Sequence, residues 1–127
     1  MPMALPRRLD LWLPPLLLMG IIYLISAQPS LDSGLGFADL VGRKVLHVLE
    51  YALLCFLWWR ALQTRMSAGR AALVAFLLSS AYAATDELHQ TLVEGRVGSP
   101  VDWALDSAGA AAVALRQRMS GRRTTAA

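Results

Sequence analysis

The placement of charged residues along this chain constrains its fold more than any other feature. The long apolar runs contain few ionisable side chains, and most of those lie near one end of a run. A charged group within the hydrocarbon costs about 2.5–3.5 kcal/mol even on the most lenient insertion scale. With 56% hydrophobic residues among its 127, the chain is also too apolar for a typical small soluble domain. These features predict an integral membrane protein.

Four apolar segments are candidates for crossing the bilayer. They cover residues 9–27, 44–62, 70–90 and 100–116. Because lipid offers no partner to an open strand edge, spanning segments must be helical. The sequence therefore predicts an all-α, polytopic membrane bundle of about four transmembrane helices, formed by one domain over residues 1–116. The basic segment 117–127 is predicted to be a disordered tail at the membrane surface.

The first segment has two notable features. Pro14 and Pro15 remove two backbone donors, so we expect the regular helix to begin near them. A cleaved signal peptide is an alternative interpretation, because Arg7 and Arg8 precede an apolar core. Ile25 stands where cleavage favours a small residue, which favours a retained span.

The basic residues lie at segment ends rather than on one face, so orientation explains the net charge of +3 better than nucleic-acid binding does. Arg7 and Arg8 precede the first segment. The others lie around the connection between the second and third segments (Arg60, Arg65 and Arg70) and at or after the end of the fourth (Arg116, Arg118, Arg122 and Arg123). The positive-inside rule then places both termini in the cytoplasm and the connections 28–43 and 91–100 outside a multi-pass protein of the cell membrane.

Polar side chains in three segments are spaced three or four residues apart, so each segment presents a polar stripe. The stripes are Lys44, His47 and Tyr51; Asp86 and Gln90; and Asp102 and Asp106, with Glu50 and Glu87 beside them. The charge-free runs of the last two segments are shorter than the about 20 residues that cross a bilayer, so their polar ends must be immersed. We expect one polar site on the extracytoplasmic side.

Carboxylates crowded around a histidine are the raw material for acid–base chemistry. The candidate catalytic residues are His47, Glu50, Asp86 and Asp106. The candidate ligand-binding residues are Lys44, Tyr51, Glu87, Gln90, Arg96, Ser99 and Asp102. A purely structural network that fixes helix register is the alternative, and Ser99 before Pro100 is typical of a helix N-terminus. One central histidine is a weak basis for zinc, so no metal site is predicted, and no cofactor is assigned.

Three stretches carry a resemblance to a known family. They are Lys44-Val-Leu-His-Val-Leu-Glu-Tyr51, Tyr82-Ala-Ala-Thr-Asp-Glu-Leu-His-Gln90 and Arg96-Val-Gly-Ser-Pro-Val-Asp-Trp-Ala-Leu-Asp-Ser-Ala-Gly109. Here the chain resembles the VanZ-like family of small integral membrane proteins, over residues 43–112. The resemblance implies a multi-span bundle whose eponymous member lowers susceptibility to the glycopeptide antibiotic teicoplanin. Arg43 departs from a commonly acidic position, and Asp106 from a common asparagine.

Three classes of function stay open. The leading hypothesis is an outer-leaflet polar pocket that engages a lipid-linked or cell-wall glycan headgroup, with Lys44 and Arg96 holding a phosphate or carboxylate. The alternative is a membrane-embedded enzyme that modifies an envelope lipid, with His47 or Asp86 as general base. A proton-coupled transporter is disfavoured, because the inner half of the predicted spans offers no comparable ionisable groups.

Overall fold

A computed structural model describes residues 7–26, 36–92 and 99–125 of the chain. Over these ranges the protein is all α-helix, and no strand occurs in them. The helices are α1 (Arg7–Ser26), α2 (Phe37–Leu62), α3 (Ala68–Gln90) and α4 (Pro100–Thr125). The predicted all-α class is confirmed.

Contacts between helix ends show that α1, α2 and α3 run alternately up and down. The guanidinium of Arg60, near the end of α2, donates to the carbonyl oxygen of Asp10, near the start of α1, at 2.7 Å. The Tyr82 hydroxyl in the second half of α3 donates to the carbonyl oxygen of Met19 in the second half of α1 at 2.6 Å. Helix α4 packs extensively against α2 and α3, while α1 contacts mainly α2.

Three helices are long and apolar enough to cross a membrane, judged over the part of the chain that the structure describes. These are Arg8–Ser26, Phe37–Leu62 and Ala68–Gln90. Helix α4 is not among them, because it carries Asp102 and Asp106 in its first turns and several arginines from Arg116 onward. The structure is therefore a small membrane helical bundle in which the fourth predicted span is present as a helix but is more polar than the other three.

The predicted start of the first helix was wrong. Helix α1 begins at Arg7 and contains both Pro14 and Pro15. Pro14 has no N–H to give to the carbonyl of Asp10, four residues earlier, so that carbonyl needs another donor. Arg60 supplies the missing donor to that carbonyl. A side chain from α2 thus pairs the carbonyl that Pro14 leaves without its helical donor.

Two further boundaries differ from the sequence prediction. Helix α2 begins at Phe37, seven residues before the predicted start at 44, and its first two turns are mostly apolar apart from Asp39 and Arg43. Helix α4 continues through Thr125, whereas disorder was predicted from residue 117. The segment after Arg116 contains glutamine, arginine and methionine, which are favourable in helices. These propensities favour continuation of α4 beyond Arg116 without an apolar face.

Small residues allow α4 to approach its neighbours closely. A Cβ atom placed on Gly109 would lie 2.6 Å from the carbonyl oxygen of Val48 and 2.9 Å from its Cγ1 atom. The hydroxyls of Ser80 and Ser107 lie 2.8 Å apart and join α3 to α4. This tight packing brings the first turns of α4 against the polar segments of α2 and α3, as small residues do in membrane bundles generally.

Candidate functional site

A buried hydrogen bond lies at the centre of the polar cluster. Tyr51, which is fully buried in α2, donates its hydroxyl to Oδ2 of Asp86 in α3 at 3.0 Å. Asp86 is itself only 4% exposed. A hydrogen bond to a carboxylate is among the stronger kinds, and its burial protects it from competing water. The predicted association of these two stripes is present in the structure.

His47 lies between two carboxylates. Its Nδ1 atom is 3.9 Å from Oδ2 of Asp86 and 4.0 Å from Oδ2 of Asp106, which is 2% exposed. These separations are too long for hydrogen bonds but short enough for strong electrostatic attraction when the imidazole is protonated. A positive charge on the imidazole of His47 would therefore attract the carboxylates of both Asp86 on α3 and Asp106 on α4.

An ion pair forms the more exposed edge of the cluster. Nζ of Lys44 lies 3.2 Å from Oδ1 of Asp102, with the side chains 41% and 29% exposed. Lys44 precedes His47 by three residues on the same face of α2. The cluster thus grades from an accessible pair at its edge to the enclosed carboxylates of Asp86 and Asp106. We use "polar cluster" below for Lys44, His47, Tyr51, Asp86, Asp102 and Asp106.

Two predicted ligand-binding residues are engaged in joining α3 to α4. Oε2 of Glu87 accepts a hydrogen bond from the backbone N–H of Ser99 at 2.8 Å. The hydroxyl of Ser99 accepts from the N–H of Val101 at 3.2 Å, next to Pro100 in the first helical position. These are the contacts of a helix N-cap, which satisfy donors that the helix itself leaves unpaired. The structural interpretation therefore accounts for Ser99 and Glu87.

The other predicted site residues have less defined roles. Gln90 is buried at the end of α3, and Glu50 is half-buried in α2. Oε2 of Glu50 is enclosed, and no donor to it is present among the residues that the structure describes. Arg96 lies outside the described residues. Within those residues, no group of three or more histidine, cysteine, aspartate or glutamate side chains has the arrangement of a metal site.

Three further aromatic residues have contacts that the spacing of polar residues does not identify, and one of them, Tyr82, adjoins the polar cluster. Tyr82 places its ring centroid 6.4 Å from that of Tyr51 and holds α1 through the carbonyl of Met19. Tyr23 of α1 stacks on His89 at 4.6 Å between centroids. The spacing of four residues from Tyr82 to Asp86 is a signal for the first of these. Nothing in the sequence pairs Tyr23 with His89.

The fold and the cluster together define a class: a small helical membrane protein whose polar and ionisable side chains from three helices converge near one end of the bundle. The VanZ/LLP1 family profile matches residues 11–118, which is most of the chain. The protein belongs to the VanZ/LLP1 family, and the resemblance carried by the three motifs is confirmed. No curated protein and no solved structure matches the chain.

Proposed function

We propose that the polar cluster binds the headgroup of a cell-envelope lipid or of a cell-wall glycan, on the extracytoplasmic side of the cell membrane. The observation that carries this proposal is the gradient within the cluster. An exposed cation, Lys44, stands at the edge, and the buried carboxylates of Asp86 and Asp106 stand behind it. Ionisable groups kept at membrane depth usually serve a function.

The chemistry of the cluster suits a phosphorylated or carboxylated sugar. Lys44 is paired with Asp102 near the surface, where such a pair contributes little stability, so a ligand phosphate or carboxylate can replace the aspartate at small cost. The carboxylate of Asp102, which is partly exposed, can then accept hydrogen bonds from sugar hydroxyls. The amide of Gln90 can both donate and accept, and is the further candidate for a hydroxyl contact.

The geometry matches a headgroup that enters from the membrane surface. Lys44, His47 and Tyr51 occupy successive turns of α2, spanning about 10 Å along the helix axis. The edge of the cluster is half-exposed, and its far end at Tyr51 is fully buried. A ligand at this face would contact Lys44 and Asp102 at the accessible edge, and the buried Tyr51–Asp86 pair would hold that edge in position.

Binding of this kind gives a route to lowered teicoplanin susceptibility, the property that the family resemblance implies. A protein that holds a lipid-linked or wall-associated glycan would shield it at the outer surface, and no covalent change is required. The protein's abundance in the membrane should then set the size of the effect.

The test compares cells that express the wild type with cells that express Asp86→Asn at matched membrane levels. Asp39→Asn is the control, since it removes a carboxylate from the first turn of α2, outside the polar cluster. We expect the wild type and the control to alter teicoplanin susceptibility alike, with unchanged envelope-lipid mass spectra, and Asp86→Asn to lose most of the effect. Equal susceptibility in all three strains and in cells without the protein would contradict the proposal.

A membrane-embedded enzyme that modifies an envelope lipid is the second candidate, favoured by the position of His47 between two carboxylates. A carboxylate that orients an imidazole is a recurring feature of general-base catalysis. The same lipid spectra decide between the two candidates. A lipid species that changes with the wild type and not with Asp86→Asn, while the variant still binds the headgroup, would favour chemistry over binding alone.

A further inference from the structure

A second polar feature lies at the opposite end of the bundle, where α1 begins and α2 turns into α3. An open cleft of about 810 Å³ is lined there by Arg8, Asp10, Trp12, Arg60, Thr64 and Arg65, among others. Its volume falls within the about 300–1,000 Å³ typical of small-molecule sites. Along α2, Arg60 is about 24 Å from Lys44, at 1.5 Å per residue. The cleft is therefore separate from the polar cluster.

The charge of the cleft is positive. Three arginines face one aspartate, which leaves a formal excess of two positive charges. The last carbonyls of α2, which would otherwise compete for the arginines, are satisfied by the turn: Trp59 accepts from Gln63, Ala61 from Thr64, and Leu62 from Arg65. The arginine side chains lining the cleft are therefore not needed to cap the end of α2.

Arg60 is held in a fixed orientation beside the cleft. Its Nη2 atom donates to the carbonyl of Asp10 at 2.7 Å, which fixes the plane of the guanidinium. Its Nε atom is enclosed, and no acceptor lies within hydrogen-bond distance of it among the described residues. Arg60 therefore contributes a positive charge in a fixed orientation to the cleft that it lines.

Two tryptophans indicate that the cleft lies at the level of lipid headgroups. Trp12 lines it and packs edge-on against Trp58 at 6.3 Å between ring centroids. Tryptophans of membrane proteins concentrate at the boundary between hydrocarbon and water. The arginine-rich end of the bundle is the one predicted to face the cytoplasm, where the leaflet surface is negatively charged.

We infer that this cleft binds a phosphate-bearing anion at the inner membrane surface. The source is either the headgroup of an anionic phospholipid or a free phosphate compound. Arg8 and Arg65 supply exposed positive charge, and Arg60 adds a positive charge held in a fixed orientation. Binding here would hold the start of α1 against the turn between α2 and α3. It would do so whether or not the polar cluster has the function proposed above.

The test uses the full chain in mixed micelles of phosphatidylglycerol and phosphatidylcholine, with retained lipids identified by native mass spectrometry. We expect the wild type to retain phosphatidylglycerol in preference to phosphatidylcholine. The double variant Arg8→Gln with Arg65→Gln should lose about 30-fold in that preference, since each basic residue near the surface contributes about fivefold. Arg60 is left unchanged, because its bond to Asp10 supports the fold.

The matched control is Arg70→Gln with Arg118→Gln, which removes two exposed charges that do not line the cleft. It should keep the wild-type preference. A second variant, Asp10→Asn, removes the one negative charge of the cleft, leaves its carbonyl available to Arg60, and should increase retention of phosphatidylglycerol. An increase in binding could not result from misfolding of the variant.

A parallel arm distinguishes the source of the anion. Inorganic phosphate is titrated into the protein in nanodiscs of phosphatidylcholine alone, and tryptophan emission is followed because Trp12 lines the cleft. A saturable response that is lost in the Arg8 and Arg65 variant identifies a free phosphate compound, whereas lipid preference without that response identifies the phospholipid. The inference is overturned when the wild type shows neither response, or when the control pair loses as much as the cleft pair.

Discussion

Tyr51 and Asp86 are joined by a 3.0 Å hydrogen bond between two side chains that are almost completely buried, one on α2 and the other on α3. The bond fixes the rotation of both helices about their axes. It thereby determines which of their polar side chains face α4. His47, one turn before Tyr51, is placed beside Asp86 and Asp106 as a result.

Removal of the Tyr51 hydroxyl should therefore destabilise the bundle. We expect Tyr51→Phe to lower the free energy of unfolding by about 1–3 kcal/mol, because a buried carboxylate oxygen loses its donor. Denaturant unfolding of the protein in detergent measures the change. A double-mutant cycle with Asp86→Asn should give a coupling energy of about 0.5–3 kcal/mol. A coupling of zero within error would show that the two side chains do not act together.

The close contact of α4 with α2 gives a second prediction. Gly109→Ala would place a methyl group 2.6 Å from the Val48 carbonyl oxygen, so the helices must move apart. We expect a loss of about 1–3 kcal/mol in the free energy of unfolding, as for other overpacked sites. Gly20→Ala in α1 is the control, because no heavy atom lies within 4 Å of its added Cβ. It should be neutral or slightly stabilising, and equal losses in the two variants would contradict the packing argument.

The polar stripes were predictable because they depend on local geometry alone. Residues three or four apart in a helix share a face whatever surrounds it, and the stripes through His47 and Asp86 follow that rule. That the stripes lie at the same depth in the membrane was also predictable, because the short apolar runs require their polar ends to lie at one membrane level. The meeting of α2, α3 and α4 in one cluster rested on these two arguments.

The bond that pairs the carbonyl left free by Pro14 was not predictable. It joins Arg60 to Asp10 across 50 residues, and it depends on how far α1 and α2 are rotated and shifted against each other. The bond from Ser99 to Glu87 was missed for a related reason. The sequence identified Ser99 as a helix cap. The acceptor of its backbone N–H, the carboxylate of Glu87 on α3, depends on the path of the connection between the two helices.

The ion pair of Lys44 and Asp102 should contribute more to binding than to stability. Both side chains are partly exposed, and pairs of this kind contribute about 0.2–1 kcal/mol. We expect Lys44→Gln to melt within a few degrees of the wild type while losing most of the effect on teicoplanin susceptibility. Arg43→Gln, which removes the adjacent positive charge on another face of α2, is the control. If Lys44→Gln kept the full effect on teicoplanin susceptibility, Lys44 would not be a ligand-binding residue of the proposed site.

The N-cap of α4 should matter for structure rather than for ligand contact. Ser99→Ala removes the acceptor of the Val101 N–H and should lower the free energy of unfolding by about 0.5–2 kcal/mol. Ser99→Asp keeps an acceptor at that position and should restore most of the loss. Hydrogen exchange at Val101 and the next residues reports the fraying directly. A variant that exchanges normally but loses function would assign Ser99 to the ligand instead.

Asp106 provides the sharpest contrast within the polar cluster. It shares the imidazole of His47 with Asp86, at 4.0 and 3.9 Å, and stands where the family resemblance indicates a common asparagine. Asp106→Asn keeps the shape of the side chain and removes one buried negative charge, so we expect the melting temperature to stay the same or rise by a few degrees. If the cluster only binds its ligand, the variant should keep the effect on susceptibility, whereas Asp86→Asn should lose it because Tyr51 and His47 both depend on that carboxylate.

If Asp106 is the acid partner in catalysis, Asp106→Asn should abolish turnover while leaving headgroup binding intact. Lower stability together with loss of binding would show instead that the second carboxylate is required to hold His47 in place.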